Sequence, residues 1–253
     1  MSDNKILKTY WEGKITNLEI LAIKSYLANG HIIFVYTYPK YNSHIKSFHE
    51  NMEIRDASEI LSVEKRWKIK GMSTIFSDLF RYYLLYKTGG WWMDLDIVLL
   101  KPITTESQIV LSLHFSEKEG NRLSGLFLNA APLKMPKGHI LGETCIREAE
   151  SRDFEKLNHA DLGPLLIDKE VPKLKLEKYI VPPEIYSPIG FHEVQRVIEP
   201  GFGFDRITGN TVAIHLFNTT WSHGMQANNQ INKNATYHPD CLYEWLKKKY
   251  DVS

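Results

Sequence analysis

Apolar and polar positions along the chain switch between a period of two and a period of three to four, and the switching predicts alternating strands and helices. Residues 6–11 read as a first strand. Thr16 then serves as an N-cap, with Glu19 three residues on to complete a capping box. Leu18, Leu21, Ala22, Ser25 and Tyr26 recur at helical spacing until Asn29-Gly30 stops the helix. The β-branched run 31–38 predicts a second strand, giving a βαβ outline without a Gly-x-Gly-x-x-Gly loop. Residues 39–70 are mixed and polar and read as loops with short elements. Ser73 caps a strong helix in which Ile75, Phe76, Leu79, Tyr82, Tyr83 and Tyr86 fall on one face, and Thr88-Gly89-Gly90 ends it. The apolar run 91–100 then predicts a strand interrupted only by Asp94 and Asp96. Further strands are expected at 109–115, 123–129, 179–181 and 211–217, and helices at 139–151, 161–169 and 239–250.

This order of elements favours an α/β layer architecture. Repeats and low-complexity linkers are absent, and 253 residues suffice for a substantial core. The formal net charge of +1 argues against a nucleic-acid binder, which would show a basic excess. The two cysteines, Cys145 and Cys241, stand in no metal-ligand spacing. The polar amino terminus is unlike a signal peptide, and no apolar run reaches the ~20 residues of a membrane helix. A cytoplasmic protein is expected, and the sequons at Asn218 and Asn234 are then coincidental.

Asp94 and Asp96 carry the chemistry. Residues i and i+2 of a strand share a face, so the two carboxylates are expected side by side in apolar surroundings. Like charges there repel and lose hydration, and a divalent cation such as Mn²⁺ or Mg²⁺ compensates both. An ion so held neutralises charge on a departing diphosphate. A bare Asp-x-Asp is a weak signal. Its place in an apolar run behind a Gly-Gly turn strengthens it, as does the preceding helix, which brings Asp78 and Arg81 to one face. Those two read equally well as a surface ion pair or as ligands for phosphate and sugar oxygens.

The segment FSDLFRYYLLYKTGGWWMDLDIVLLKP, 76–102, closely resembles the DXD-containing sugar-binding region of bacterial and fungal glycosyltransferases, a group that includes capsular polysaccharide, mannosyl-transferring and α1,4-glycosyltransferase enzymes. The same order of residues occurs in glucosylating clostridial toxins. The stretch YWEGKITNLEILAIKSYLANGHIIFVYTY resembles the opening of these proteins, and Leu162-Gly163-Pro164 and AIHLFNTTW resemble later blocks. The resemblance implies a GT-A fold, a Rossmann-like mixed sheet flanked by helices, in one domain over 1–253. Residues 1–130 would form the nucleotide-sugar half, and 131–253 the acceptor half with a late metal-site segment. It further implies a retaining hexosyltransferase using a UDP-sugar, with GDP-mannose as the other choice, and Mn²⁺ or Mg²⁺. Asp78 and Arg81 would hold the donor, Asp94 would touch ribose or sugar, and Asp96 would bind the metal with His215. Trp221 matches a tryptophan near the leaving phosphate.

Tyr10 and Trp11, at the end of the first strand, are placed to stack on a base. Asp161 and Asn129 are candidates to face the transferred sugar, with His159 as a further one. The expected acceptor is a glycan or lipid-linked glycan in capsule, O-antigen or lipooligosaccharide synthesis, which leaves peripheral membrane association open. A toxin-like effector modifying protein and a non-catalytic sugar-nucleotide-binding module are the alternatives.

Overall fold

The computed structural model describes residues 4–39, 45–68, 73–116, 125–223 and 231–253. The chain opens with β1 (Ile6–Tyr10), α1 (Asn17–Ala28) and β2 (Ile32–Thr37), the expected βαβ unit. The Thr16–Glu19 capping box closes the start of α1 as the sequence predicts. β3 (Met52–Asp56) and the short α2 (Val63–Lys68) follow in the segment expected to be mostly loop. Next come α3 (Ser73–Thr88), β4 (Gly90–Trp92), β5 (Ile97–Leu99), β6 (Val110–Ser116) and β7 (Gly125–Met135). The first two residues of the strand expected at 123–129 lie outside the described residues. The remainder comprises α4 (Ile140–Glu150), α5 (Pro164–Lys173), β8 (Ile180–Val181), α6 (Pro183–Tyr186), β9 (Ala213–His215), α7 (Asn218–His223) and α8 (Leu242–Lys249).

Seven strands form a mixed sheet in the order β3-β2-β1-β4-β7-β6-β8, flanked by helices, and β5 pairs with β9 in a separate ribbon. β1, β2, β3 and β4 run parallel to one another, whereas β7 is antiparallel to both β4 and β6. The larger core joins Leu7, Ile33 and Val35 of the sheet to Phe76, Phe80 and Leu84 of α3. A second cluster sets Leu18 and Leu21 of α1 against Val98, Ile214, Trp221 and Leu246. Each such side chain, fully withdrawn from water, stabilises the fold by roughly 1.5–3 kcal/mol. Among the described residues no helix is long and apolar enough to cross a membrane.

The expected strand 91–100 is corrected. It is two strands in two sheets, broken at the acidic pair. Met93 donates its N–H to the Lys8 carbonyl (2.9 Å), the last contact with β1. The chain then turns, with Ile97 N–H reaching back to the Asp94 carbonyl (3.2 Å), and re-forms as β5 against β9. The Tyr26 hydroxyl also holds the Asp94 carbonyl, at 2.6 Å. Asp94 and Asp96 therefore belong to a turn at the carboxyl end of β4, a position that aspartate favours, and their proximity does not come from a strand pleat.

Candidate active site

A cavity of about 1010 Å³ opens across the carboxyl ends of β1 and β4, where open α/β sheets bind ligands. Its floor is the acidic turn. One oxygen from each of Asp94 and Asp96 and one ring nitrogen of His215 lie within 4.8 Å of one another. Nε2 of His215 is 3.2 Å from Oδ1 of Asp96. The β5–β9 pairing makes this meeting, because Ile97 lies opposite His215 in the register and so brings the histidine beside the turn.

The protein balances the two carboxylates in different ways. Asp94 accepts from Nη2 of Arg81 (3.1 Å) and from the Trp92 indole N–H (2.6 Å). Oδ2 of Asp96 accepts the backbone N–H of Asn218 at 2.7 Å. Burial works to raise the Asp96 pKa, but His215, the Asn218 N–H and Lys233 together hold it below the usual aspartate range. Its other oxygen, Oδ1, is buried with no hydrogen-bond partner among the described residues, the ion contact to His215 apart. A buried carboxylate oxygen left in this state, beside a second carboxylate and an imidazole, suits a hard divalent cation. The residues present fit the ion that the sequence implies.

Asp78 and Arg81 stand behind the turn on one face of α3. Nη1 of Arg81 is 3.1 Å from Oδ1 of Asp78, so the guanidinium bridges Asp78 and Asp94. It also lies over the Trp92 ring at 4.9 Å. Both members of the pair are buried, so this is no surface ion pair. Burial pushes Asp78 up to about 7, against the pull of Arg81 and with a push from Asp94. The Asp78 carboxylate rests on Gly163, where a Cβ would come within 2.7 Å of Oδ2. That contact needs glycine. Nε of Arg81 is buried with no hydrogen-bond partner among the described residues, and Nη1 has only its ion contact with Asp78.

The remaining expected residues divide. Tyr10, Trp11, Asn129 and His159 line the cavity. Tyr10 is also packed into an aromatic cluster with Tyr38, Phe76 and Phe80, and its hydroxyl donates to Glu12, itself held by Arg66. Asn129 Nδ2 meets Nδ1 of His215 at 2.8 Å and fixes that ring. Trp221 is not brought to the cavity. It is fully buried and its indole N–H goes to the Leu216 carbonyl at 2.7 Å, so it has no donor left for a phosphate. Asp161 also lies outside the lining, because its carboxylate accepts the Asn158 N–H (2.7 Å) in the loop before α5. Asp168, about one turn into α5, lines the cavity in its place.

The sequence reading did not single out Glu12, His114, Phe127, Asp168, Phe191 or Phe217, all of which line the cavity. His114 is a polar residue inside an apolar strand, a signal of the same kind as the acidic pair. Burial and the neighbouring His215 lower its pKa to about 4, so the ring is neutral near pH 7.

Residues 29–114 match the family described as glycosyltransferase sugar-binding region containing DXD motif. That segment is similar to the DXD-motif region of glycosyltransferases. The match covers about a third of the sequence and includes Asp78, Arg81, Asp94, Asp96 and His114. It supports glycosyltransferase activity in general form, with a nucleotide-sugar donor and an acceptor as substrates. Among solved structures, the PaToxG glycosyltransferase is similar at a TM-score of 0.49 and 16% identity, over 68% of this chain and 69% of that one. No curated protein matches the sequence.

Proposed function

We propose that the chain is a divalent-metal-dependent hexosyltransferase. It would move a sugar from a nucleoside diphosphate, UDP in preference to GDP, to a hydroxyl of a glycan acceptor. The observation that carries this reading is the Asp94, Asp96 and His215 cluster at the floor of the cavity, backed by the buried Asp78–Arg81 pair. A metal ion held there would supply neutralisation of charge on the diphosphate. Arg81 adds a fixed cation and its unpartnered Nε–H for a donor oxygen, and Asp78 accepts sugar hydroxyls when ionised. Tyr10 and Trp11 flank the base at the end of β1.

In the reaction, the acceptor oxygen forms a bond to the anomeric carbon while the bond from that carbon to the diphosphate oxygen breaks. The acceptor proton passes to the departing oxygen. With attack on the leaving-group face the anomeric configuration is retained. The reading assigns residues 1–130 mainly to the donor, and His215 to the metal from the later half.

The test is incubation with labelled UDP- and GDP-sugars, Mn²⁺ and glycan acceptors. Label should enter glycan, and Asp96→Ala should lower transfer by on the order of 100-fold while circular dichroism stays native. Undiminished transfer with metal chelated overturns the metal role. Label entering protein bands instead would assign a protein acceptor.

A further inference from the structure

The sheet order divides the cavity. Tyr10, given to the base above, ends β1 on one side of β4, while β7 and β6 lie on the other. On that far side the wall changes character. His114 and Phe127 stand directly opposite each other in the β6–β7 register. The His114 ring lies 6.0 Å from Phe127, 6.5 Å from Phe191 and 5.6 Å from Phe217. Phe191 and Phe217 meet edge to face at 5.3 Å, and Phe217 stacks flat on His215 at 3.9 Å. Asn129 and Phe127, two residues apart in β7, share the face that starts at His215 and runs outward. The aromatic wall therefore begins at the candidate metal ligand.

Three features of this wall ask for a ligand. Phe217 has φ of 46°, in the left-handed region that a bulky residue enters only under strain. That conformation lays its ring on His215. His114 is nine-tenths buried, yet it makes no hydrogen bond among the described residues, and its Nδ1 is enclosed without a partner. Oδ1 of Asp168 accepts the Leu128 N–H at 2.9 Å, beside Phe127, and Oδ2 has no partner among the described residues. A flat apolar surface, an imidazole in need of a partner and a half-used carboxylate suit a ring that carries several hydroxyls. A lone aromatic ring would satisfy only the first.

We propose that the β6–β7 side of the cavity is the acceptor subsite, where a pyranose ring of the acceptor stacks on Phe127 and Phe191 with its hydroxyls on His114 and Asp168. The inference rests on the glycosyltransferase reading above and adds the acceptor's chemical class and place. It also draws the acceptor wall from both halves of the chain, 1–130 and 131–253. The attacking hydroxyl then points toward His215 and the donor.

The experiment measures donor hydrolysis and transfer to a panel of methyl hexopyranosides in the presence of Mn²⁺. It compares the wild type with Phe127→Ala, Phe127→Trp and His114→Ala. The acceptor KM should rise roughly tenfold in both alanine variants, the loss of about one stacking or hydrogen-bond contact. Phe127→Trp, which keeps a ring face, should restore it. The ratio of transfer to hydrolysis should fall in the same variants. Unaltered acceptor KM in both alanine variants overturns the subsite while leaving the transferase reading intact. So does a wild type that hydrolyses donor but glycosylates none of the hexosides. A wild type that neither hydrolyses nor transfers any nucleotide-sugar sinks the transferase reading and the subsite with it.

Discussion

Replacing Asp78 with asparagine isolates the cost of keeping a carboxylate in the wall of the cavity. Burial raises this group from the ordinary 3.8 to about 7, with Arg81 pulling the other way. In the unfolded chain the same carboxyl ionises near its ordinary value. Between the two values the folded state holds the proton and the unfolded state has lost it, so stability falls as pH rises through that window. The loss is absent below about pH 4 and complete above about pH 7. Between about pH 5 and about pH 8 it amounts to roughly 2–3 kcal/mol, an upper figure given the nearby guanidinium. For a chain of this size that is a Tm change of about 5–10 °C. Melting curves of wild type and Asp78→Asn in chelator, across this range, supply the test, because the difference cancels the other titrating groups. The wild type should lose more stability on going to alkaline pH than the variant does. Parallel curves would refute the reasoning, and would mean that Arg81 keeps Asp78 ionised throughout.

Gly163→Ala should push the Asp78 carboxylate off its seat, since the new Cβ would lie 2.7 Å from Oδ2. About 1–3 kcal/mol of stability should go, with a raised donor KM, and an unchanged Tm would contradict the contact. Trp221→Phe removes the indole N–H that satisfies the Leu216 carbonyl. Denaturant melts should show a loss of about 1–2 kcal/mol with donor KM unaltered. A raised donor KM at full stability would return Trp221 to the phosphate.

Local signals in the sequence are legible, because they act within a few residues. The Thr16–Glu19 capping box and the His139 and Ser151 ends of α4 fall where the pattern puts them. β3 was hidden because it is an edge strand, with a half-exposed Met-Glu-Ile-Arg-Asp pattern that propensity does not favour. The break at Asp94 was hidden for another reason. A continuous apolar run is equally buried whether it stays in one sheet or passes to another, so periodicity cannot mark the crossing. The sequence pattern starts α5 at 161. The helix begins at Pro164, where proline suits the first turn and Gly163 makes room for Asp78, and this leaves Asp161 in the loop. Asp78, Arg81, Asp94, Asp96 and His215 do converge, whereas the aromatic wall needs β6, β7 and two distant loops together. No short motif reports such an assembly.

The central claim is that Asp94, Asp96 and His215 hold a divalent ion against the donor diphosphate. Anomalous diffraction from crystals grown with Mn²⁺ and a nucleoside diphosphate tests it directly. The account predicts one manganese peak among these three side chains, in contact with diphosphate oxygens and lost in Asp96→Ala. A diphosphate bound in the cavity with its manganese elsewhere, and neither aspartate beside it, would contradict the account.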